Sequence, residues 1–487
     1  MRLEKLLEGL KVLRTEGDLT ISVEGIAHDS RRVKPGDLFV ALRGTKEDGH
    51  RFVPDALKAG ASALLLEEPL PWAVPVPWVV VPDAREALAL VAARFFGEPS
   101  RELTIIGITG TNGKTTTSYL LEAILKEAGA EVGVIGTVNY RWGNRMLPAL
   151  NTTPSPCELQ RILREMASHG VTHVVMEVSS HALVQRRVKA CHLDVGIFTN
   201  LSPEHLDYHG TMEEYLAAKA LLFNEVLKES AKEPWAIYNR DDRWVRKAAE
   251  EVNGLKKMDY GTEGTIRPLR WRTDLEGIEA VIDTPRGILE VSSSLIGPFN
   301  LENIMAAVAS ALALGVSSDA IVLGIEKVRG IPGRMERVGR RPAVFVDYAH
   351  TPDALEKVLS GIKPLVRGRL IVVFGCGGER DRSKRPLMGQ VASKLASRVV
   401  VTSDNPRGED PLKIIEEIRK GLEPGTDHLI IPDRREAIRK AIEEAKPEDV
   451  VVIAGKGHEN YQIVGEQRLP FDDRFEARRV LEELGWS

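Results

Sequence analysis

The chain has 487 residues, 43 % of them hydrophobic and 28 % charged, with a formal net charge of −4. That length suits about three globular domains, and the charge balance excludes a general attraction to nucleic acid or to an anionic membrane. The cysteines Cys157, Cys191 and Cys376 form no CxxC pair, and no run nears the roughly 18 apolar residues of a spanning helix, so the expectation is a cytoplasmic protein without disulfides or membrane insertion, and by default a monomer.

In chain order, residues 1–17 interleave charges with leucines, which predicts a short amphipathic helix and not an export signal. Up to residue 100, apolar runs at 38–41, 63–66 and 78–81 alternate with helical stretches such as 83–96. That is the pattern of a small α/β domain, and Gly97-Glu98-Pro99-Ser100 punctuates its end. A second block, 101–332, opens with a strand at 103–109, a glycine loop and a helix from 115 to about 128, with Leu120, Leu121, Ile124 and Leu125 on one face. Strands are expected at 132–135, 174–177 and 195–198, and strand-rich connecting structure over 244–294. The third block, 333–487, alternates strands at 344–347, 370–374, 398–402, 428–431 and 450–454 with helices. This βαβ pattern predicts a mostly parallel, doubly wound, Rossmann-like sheet. The expected fold class is α/β in three domains: 1–100, a central 101–332 domain with a mixed or parallel phosphate-loop ATPase-type sheet, and 333–487.

The loop Gly110-Thr111-Asn112-Gly113-Lys114-Thr115-Thr116 departs from the strict GxxxxGK[ST] pattern, since Ile108 stands where the first glycine would be. The physics is retained. A strand turns sharply into a helix, glycines let backbone N–H groups face phosphate, and the helix N-terminus adds partial positive charge. Lys114 can neutralise phosphate oxygens and the Thr115 hydroxyl can ligate Mg²⁺. Glu177 ends a strand and can hold the same ion or simply meet solvent. The loop 199–210 carries His205, His209, Glu204 and Asp207, which can serve a metal or hydrogen-bond within the loop. Three strands of the last block run into the loops 375–381, 404–407 and 455–459; ligands of such sheets bind beyond the carboxyl ends of strands.

Segments 109–116, Glu177-Val178-Ser179-Ser180-His181, His205-Leu206-Asp207-Tyr208-His209-Gly210, Asn300-Leu301-Glu302-Asn303, Gly333-Arg334-Met335-Glu336 and Asp347-Tyr348-Ala349-His350-Thr351-Pro352 together resemble the Mur ligase family over essentially the whole chain. Members join an amino acid to a carboxylate on a UDP-muramoyl precursor of peptidoglycan, and the resemblance is greatest to the tripeptide-forming ones. It implies ATP and two Mg²⁺ ions, with Thr115, Glu177, His205 and Lys219 at the metals. Lys219, otherwise read as a solvated helix residue, would carry a CO₂-derived carbamate, which turns an ammonium into an oxygen ligand. Lys114, Lys219 and His205 would be the catalytic group. Asn303 would meet adenine, Arg334 the γ-phosphate and Asp347 the ribose. His28 and Ser30 would lie at the uridine with Thr45, Lys46 and Glu47 nearby, and Asn151, Thr152, Thr153, Ser179, Gln185 and Arg187 at the muramoyl dipeptide.

The resemblance also implies an amino-acid pocket at Arg380, Asp404, Asn405, Pro406, Arg407, Gly455 and Glu459. The run Asp404-Asn405-Pro406-Arg407 is associated in the family with meso-diaminopimelate. Its distal carboxylate can take a bidentate Arg407 and its distal ammonium can meet Glu459; lysine, lacking that carboxylate, would leave Arg407 unpaired. The expected reaction is ATP-dependent amide formation between UDP-N-acetylmuramoyl-L-alanyl-D-glutamate and meso-diaminopimelate through an acyl phosphate. The alternatives are addition of L-lysine, or a folylpolyglutamate synthase-like ligase, which would lack the N-terminal block and the 404–407 motif. A GTPase-like switch would need an NKxD-type motif, which the sequence lacks.

Overall fold

A computed structural model describes residues 1–44 and 47–486. The first sheet contains β1 (Arg14–Glu16), β2 (Gly25–Ala27), β3 (Asp37–Val40), β4 (Ala63–Leu66) and β5 (Trp78–Val80), in the order β1-β5-β4-β3-β2. Strands β2 to β5 are parallel and β1 returns antiparallel along β5. The helix expected over 1–17 is confined to Leu3–Leu6, because the chain from Arg14 onward is taken into the sheet.

The second sheet contains β6 (Thr104–Thr109), β7 (Val132–Ile135), β8 (Asn139–Trp142), β9 (Arg145–Pro148), β10 (His173–Glu177), β11 (Val195–Phe198), β12 (Trp235–Asn239) and β13 (Lys256–Tyr260). Its order is β13-β12-β11-β6-β10-β7-β8-β9, parallel except for the β8–β9 hairpin. β6 is central and its Ile105, Ile106 and Ile108 are fully buried. Covered on both faces, such a strand reads as a continuous β-branched run. The helix Lys114–Glu127 follows it and packs Leu120, Leu121, Ile124 and Leu125 against the alanine-rich helix Pro298–Ala313 and the helix Ser318–Lys327. Each such buried Leu or Ile stabilises the fold by about 2 kcal/mol. The stretch 244–294 opens with a helix, Arg243–Glu251, capped by Asp242, before the expected strands begin. β14 (Arg267–Asp274), β15 (Gly277–Thr284) and β16 (Gly287–Ser293) form an antiparallel sheet, and alternate β15 residues Ile278, Ala280 and Ile282 enter the core.

The third large sheet contains β17 (Glu336–Arg340), β18 (Ala343–Asp347), β19 (Leu370–Phe374), β20 (Arg398–Val401), β21 (His428–Ile430) and β22 (Val450–Ala454), ordered β17-β18-β22-β19-β20-β21 and antiparallel only at β17. Its residues alternate between two cores. Phe345, Val372, Val401 and Val452 face one, and Val344, Val346, Ile371 and Val451 the other. That period of two, filled on both sides, is the doubly wound arrangement. A ribbon of β23 (Tyr461–Val464) and β24 (Gln467–Pro470) completes the chain's strands among the described residues. No helix among those residues is long and apolar enough to cross a membrane.

Candidate active site

The carboxyl ends of β6, β10, β11, β12 and β18 open toward a region centred on residues 110–116. A cavity of about 660 Å³ there is lined by Thr111–Thr116, Thr137, Thr152, Glu177, Ser179, Glu204, His205, Glu302, Asn303, Arg334 and Asp347, among others. At Gly110 (φ 139°) a Cβ would lie 1.9 Å from Thr199 Oγ1, and at Gly113 (φ 88°) 2.3 Å from Asn303 Oδ1. Both backbone conformation and space therefore require glycine. The Lys114 ammonium donates to the carbonyls of Gly110 (2.7 Å) and Thr111 (2.9 Å). Burial lowers its pKa, and Glu204 and Glu177 act against that.

The Thr115 hydroxyl donates to Glu177 Oε2 (3.1 Å). The same carboxylate accepts from the backbone N–H of Thr137 at Oε1 (3.1 Å) and from its hydroxyl at Oε2 (2.9 Å). A hydroxyl and a carboxylate in contact at a helix N-terminus are hard oxygen donors of the kind Mg²⁺ takes, so these residues fit that ion. Lys219, 2 % exposed, donates from Nζ to Gly110 O (2.8 Å) and lies 4.6 Å from the centre of the Tyr215 ring. Two lysines thus converge on one carbonyl oxygen. Burial and then the neighbouring Lys114 push the Lys219 pKa well below its usual value. A neutral amine is the form that takes up CO₂, so this position also fits a carbamate.

His205 takes φ 55°, and its ring stands edge-on to His181 with centroids 4.9 Å apart. Its Nε2 is 3.8 Å from Glu204. Burial lowers the pKa of His205, and burial with the neighbouring histidines pushes His181 down to about 4. Burial raises Glu204, yet His205, His350, Lys114 and Lys219 together hold it below the ordinary carboxylate value.

From the third sheet, Arg334 reaches across to Thr115 Oγ1 (3.3 Å) and stacks 4.5 Å from the centre of the Tyr348 ring. Asp347, at the end of β18, accepts from Met335 N–H and Ala349 N–H, each at 2.7 Å. Burial raises its pKa, against Arg334. Asp353 accepts from Asn112 Nδ2 (3.0 Å) and from the Ser202 hydroxyl (2.6 Å), which ties the two sheets' loops together. Asn303 donates to Asn300 Oδ1 (3.1 Å).

Beside Glu177, Thr153 donates to its backbone carbonyl (2.9 Å), while the Arg187 guanidinium donates to Thr153 O (2.7 Å) and to Gln185 Oε1 (2.8 Å). Ser179 donates its N–H to Thr153 Oγ1 (3.1 Å), and Thr152 pairs with Thr137 through their hydroxyls (3.1 Å). Asn151 is exposed, its carbonyl accepting from the Tyr140 hydroxyl. His28 and Ser30 lie on the first sheet's edge near this cluster. Burial lowers His28, and Arg187 is among the charges that act on it in the same direction. Glu47 is exposed. Thr45 and Lys46 lie outside the described residues.

In the third sheet, Asn405 Nδ2 donates to Glu459 Oε2 (2.9 Å). The buried Lys456 donates to the same carboxylate oxygen (3.0 Å) and to Asn405 Oδ1 (3.1 Å). Arg407 (φ 51°) donates to Gly378 O (2.7 Å), so it lies on the loop that carries Arg380. Arg380 itself is exposed, 3.4 Å from Glu379 O. Asp404 accepts from the N–H of Asn405, next to Pro406 (2.6 Å), and Gly455 (φ 118°) packs against its Oδ2. The sequence reading misses Thr137, Asp353 and Lys456. Only Lys456 left a signal, a lysine between two glycines after a buried strand.

Three family models cover most of the chain: the Mur ligase family catalytic domain at residues 22–96, the Mur ligase middle domain at 108–311 and the Mur ligase glutamate ligase domain at 333–457. The UDP-N-acetylmuramoyl-L-alanyl-D-glutamate–2,6-diaminopimelate ligase of Geobacter metallireducens is 45 % identical over 505 aligned positions, covering 99 % of each chain. The chain belongs to the Mur ligase family. The ligase of the same name from Gloeobacter violaceus is 45 % identical, covering 99 % of this Mur ligase and 98 % of the relative. A solved structure of a ligase with that name superposes with a TM-score of 0.72 at 35 % identity over the whole of both chains. Thermotoga maritima MurF in complex with ADP shares the fold, with a TM-score of 0.64 at 21 % identity over 94 % of this chain and 97 % of that one.

Proposed function

We propose that this protein is an ATP-dependent ligase that adds meso-2,6-diaminopimelate to UDP-N-acetylmuramoyl-L-alanyl-D-glutamate in peptidoglycan synthesis. The observation that supports it most is the Asp404–Arg407 loop, held against Glu459 beyond the carboxyl ends of β20 and β22, in a chain 45 % identical over its length to ligases of that name. In this reading residues 1–100 hold the uridine end through His28, Ser30, Thr45, Lys46 and Glu47. Residues 101–332 hold ATP and the dipeptide, with Asn151, Thr152, Thr153, Ser179, Gln185 and Arg187 on the latter. Residues 333–487 hold the amino acid through Arg380, Asp404, Asn405, Pro406, Arg407, Gly455 and Glu459.

The γ-carboxylate of the D-glutamyl residue attacks the γ-phosphorus of ATP, giving an acyl phosphate and ADP. The diaminopimelate α-amine then attacks the acyl carbon, forming the amide and releasing phosphate. Thr115, Glu177, His205 and Lys219 as its carbamate would hold two Mg²⁺ ions, which supply charge neutralisation for the transferring phosphoryl group. Lys114 and Arg334 add positive charge at the β/γ-phosphates, and the Gly110–Gly113 N–H groups cradle them. Asn303 and Asp347 place the nucleoside. Closure of the third sheet over the loop, through Arg334 and Asp353, excludes water from the acyl phosphate. Arg407 meets the distal carboxylate, and Glu459 meets the distal ammonium through the oxygen that Asn405 and Lys456 leave free.

The test is ADP release with UDP-N-acetylmuramoyl dipeptide and either meso-diaminopimelate or L-lysine. Turnover at least about 100-fold faster with diaminopimelate is expected. Equal or faster turnover with lysine overturns the assignment in favour of the lysine-adding reaction.

A further inference from the structure

The cavity has a direction. Its phosphate end lies at Lys114, Thr115 and Glu177, beside the dipeptide residues Thr152 and Ser179, so the γ-phosphate points there. Its opposite end, across β6 from β10 and past β11, lies at the end of β12 and is lined by Asn239, Asp241, Asp242, Phe299 and Glu302. A nucleoside triphosphate laid with its phosphates on the loop puts its base at that opposite end. This step rests on the nucleotide reading above.

One carboxyl there stands apart. Asn239 accepts the N–H of Asp241 at Oδ1 (2.9 Å), which turns its amide NH₂ toward Glu302 Oε2 (3.3 Å). Glu302 Oε1 has no protein partner among the described residues, and the side chain lines the cavity. The two nearby acids are anchored elsewhere. Asp241 accepts from the N–H (2.8 Å) and hydroxyl (2.9 Å) of Thr262, and Asp242 accepts from Leu201 N–H (2.8 Å) while capping Arg243–Glu251. We propose that Glu302 selects the base: its carboxyl pairs with N7 and the exocyclic amine of adenine.

The chemistry of the two purines makes this selective. Adenine presents a donor amine beside an acceptor ring nitrogen, which matches a carboxylic acid's one acceptor and one donor. The corresponding edge of guanine carries two acceptors, O6 and N7, and sets the acid's carbonyl oxygen against O6. An ionised carboxylate is acceptor-only and loses the bond to adenine's ring nitrogen. The surroundings favour the acid. Burial first, and then Asp241 and Asp242, raise Glu302 to about 7 against the pull of Lys357 and the Asn239 hydrogen bond. The remaining titratable neighbour, Tyr260, is itself held neutral by burial. The pKa of Glu302 is raised, so the acid form prevails below about 7 and is lost as the pH climbs through that value. ATP affinity should fall with it.

The experiment is direct binding of ATP and GTP to the full chain from about pH 6 to about pH 8.5, together with kcat/KM for each. Taking the ratio of the native protein to Glu302→Gln for ATP cancels titrations they share, such as those of the histidines at the phosphate end. That ratio of ATP affinities should fall roughly tenfold across this range, the worth of one good hydrogen-bonded base contact. Glu302→Gln, whose amide always carries one donor and one acceptor, should keep its preference for ATP over GTP and lose its pH dependence at this contact. Glu302→Leu should lose the preference at every pH, with the change in KM and not in kcat. A native-to-Glu302→Gln ratio of ATP affinity that is independent of pH, or a Glu302→Leu preference for ATP over GTP equal to the native one, overturns the proposal while leaving the nucleotide site standing. Failure to bind either nucleotide overturns both.

Discussion

Two regions of this molecule bury cations in opposite ways. Around the phosphate loop, Lys219 and Lys114 both donate to Gly110 O, a neutral carbonyl, and among the described residues no carboxylate is in ion-pair contact with either ammonium. In the third sheet each buried cation is matched. Arg434, fully buried, is paired with Asp473 and also donates to Ala454 O (3.0 Å). Arg385 is clasped by Glu409 (2.9 Å) and Glu417 (2.8 Å), and it pushes Glu409 down to about 2. Lys456 is paired with Glu459 (3.0 Å). The first region carries positive charge that Glu204 and Glu177 offset only from a distance; the second has its partners in direct contact. Unpaired buried charge costs stability, so the phosphate site is strained in the free protein, and a bound phosphate would relieve it. The matched pairs hold the loops 375–381, 404–407 and 455–459 in shape before any amino acid arrives.

The sharpest break comes from removing one cation from each region. Lys219→Ala should lower turnover by at least about 10³-fold, the scale of losing a group that neutralises transition-state charge, with partial rescue by short-chain carboxylates. Full activity of the variant would exclude a metal role for Lys219. In metal-free and CO₂-free buffer the same change should leave the thermal midpoint equal or higher. The sign follows from the lowered pKa of Lys219. Below its folded value the buried ammonium is a penalty, and the penalty fades as the pH rises toward the unfolded value of 10.5. The advantage of the variant should therefore shrink in alkaline buffer. Arg434→Met should do the reverse: it strands Asp473 and costs about 3–5 kcal/mol in urea denaturation. Equal stability effects from the two variants would dissolve the contrast.

The same contrast governs what the sequence discloses. The glycine loop is legible because a strand, a turn and a helix are local and the glycines are demanded by the geometry. The third sheet is legible because runs such as 450–454 are apolar on both faces. Lys219 is illegible from its surroundings in the chain. A capping box at Thr211 and Glu214 starts its helix, but nothing local says that the face bearing Lys219 turns inward, against Tyr215 and Gly110. The Thr115–Glu177 contact spans 62 positions and the Asn112–Asp353 contact 241. Such pairs exist only once the sheets are assembled, and the resemblance to a family, more than any residue pattern, points to them. The early end of the first helix is likewise a tertiary matter, since β5 takes Arg14–Glu16 as its partner.

A smaller effect is expected in the completed region. Arg407→Lys leaves the loop 404–407 supported by Asn405, Lys456 and Glu459 but replaces a planar fork with a single ammonium. The kcat/KM for diaminopimelate should fall by about 10²-fold while that for lysine changes little. A parallel loss for both amino acids would assign Arg407 to holding the loop, not to reading the distal carboxylate.

The smallest effect should come from the contact that joins the two regions. Asp353 lies in the first turn of the helix Pro352–Ile362, which Thr351 caps, and its Oδ2 accepts from both Asn112 and Ser202 while Lys357 meets the same oxygen at 3.1 Å. Each neutral-donor hydrogen bond to a carboxylate is worth about 1.5 kcal/mol or somewhat more, and part of that is recovered by water when the sheets separate. Asp353→Ala should therefore raise the KM for ATP by about five- to tenfold, with a smaller change in kcat, since the phosphate loop and its cations are untouched. Asp353→Asn keeps one acceptor oxygen and should recover part of the loss. If Asp353 only stabilised the first turn of its helix, both variants would lower thermal stability and leave the KM for ATP unchanged. A shift in KM without a shift in melting temperature would place the residue in closure, where the strained region meets the region already at rest.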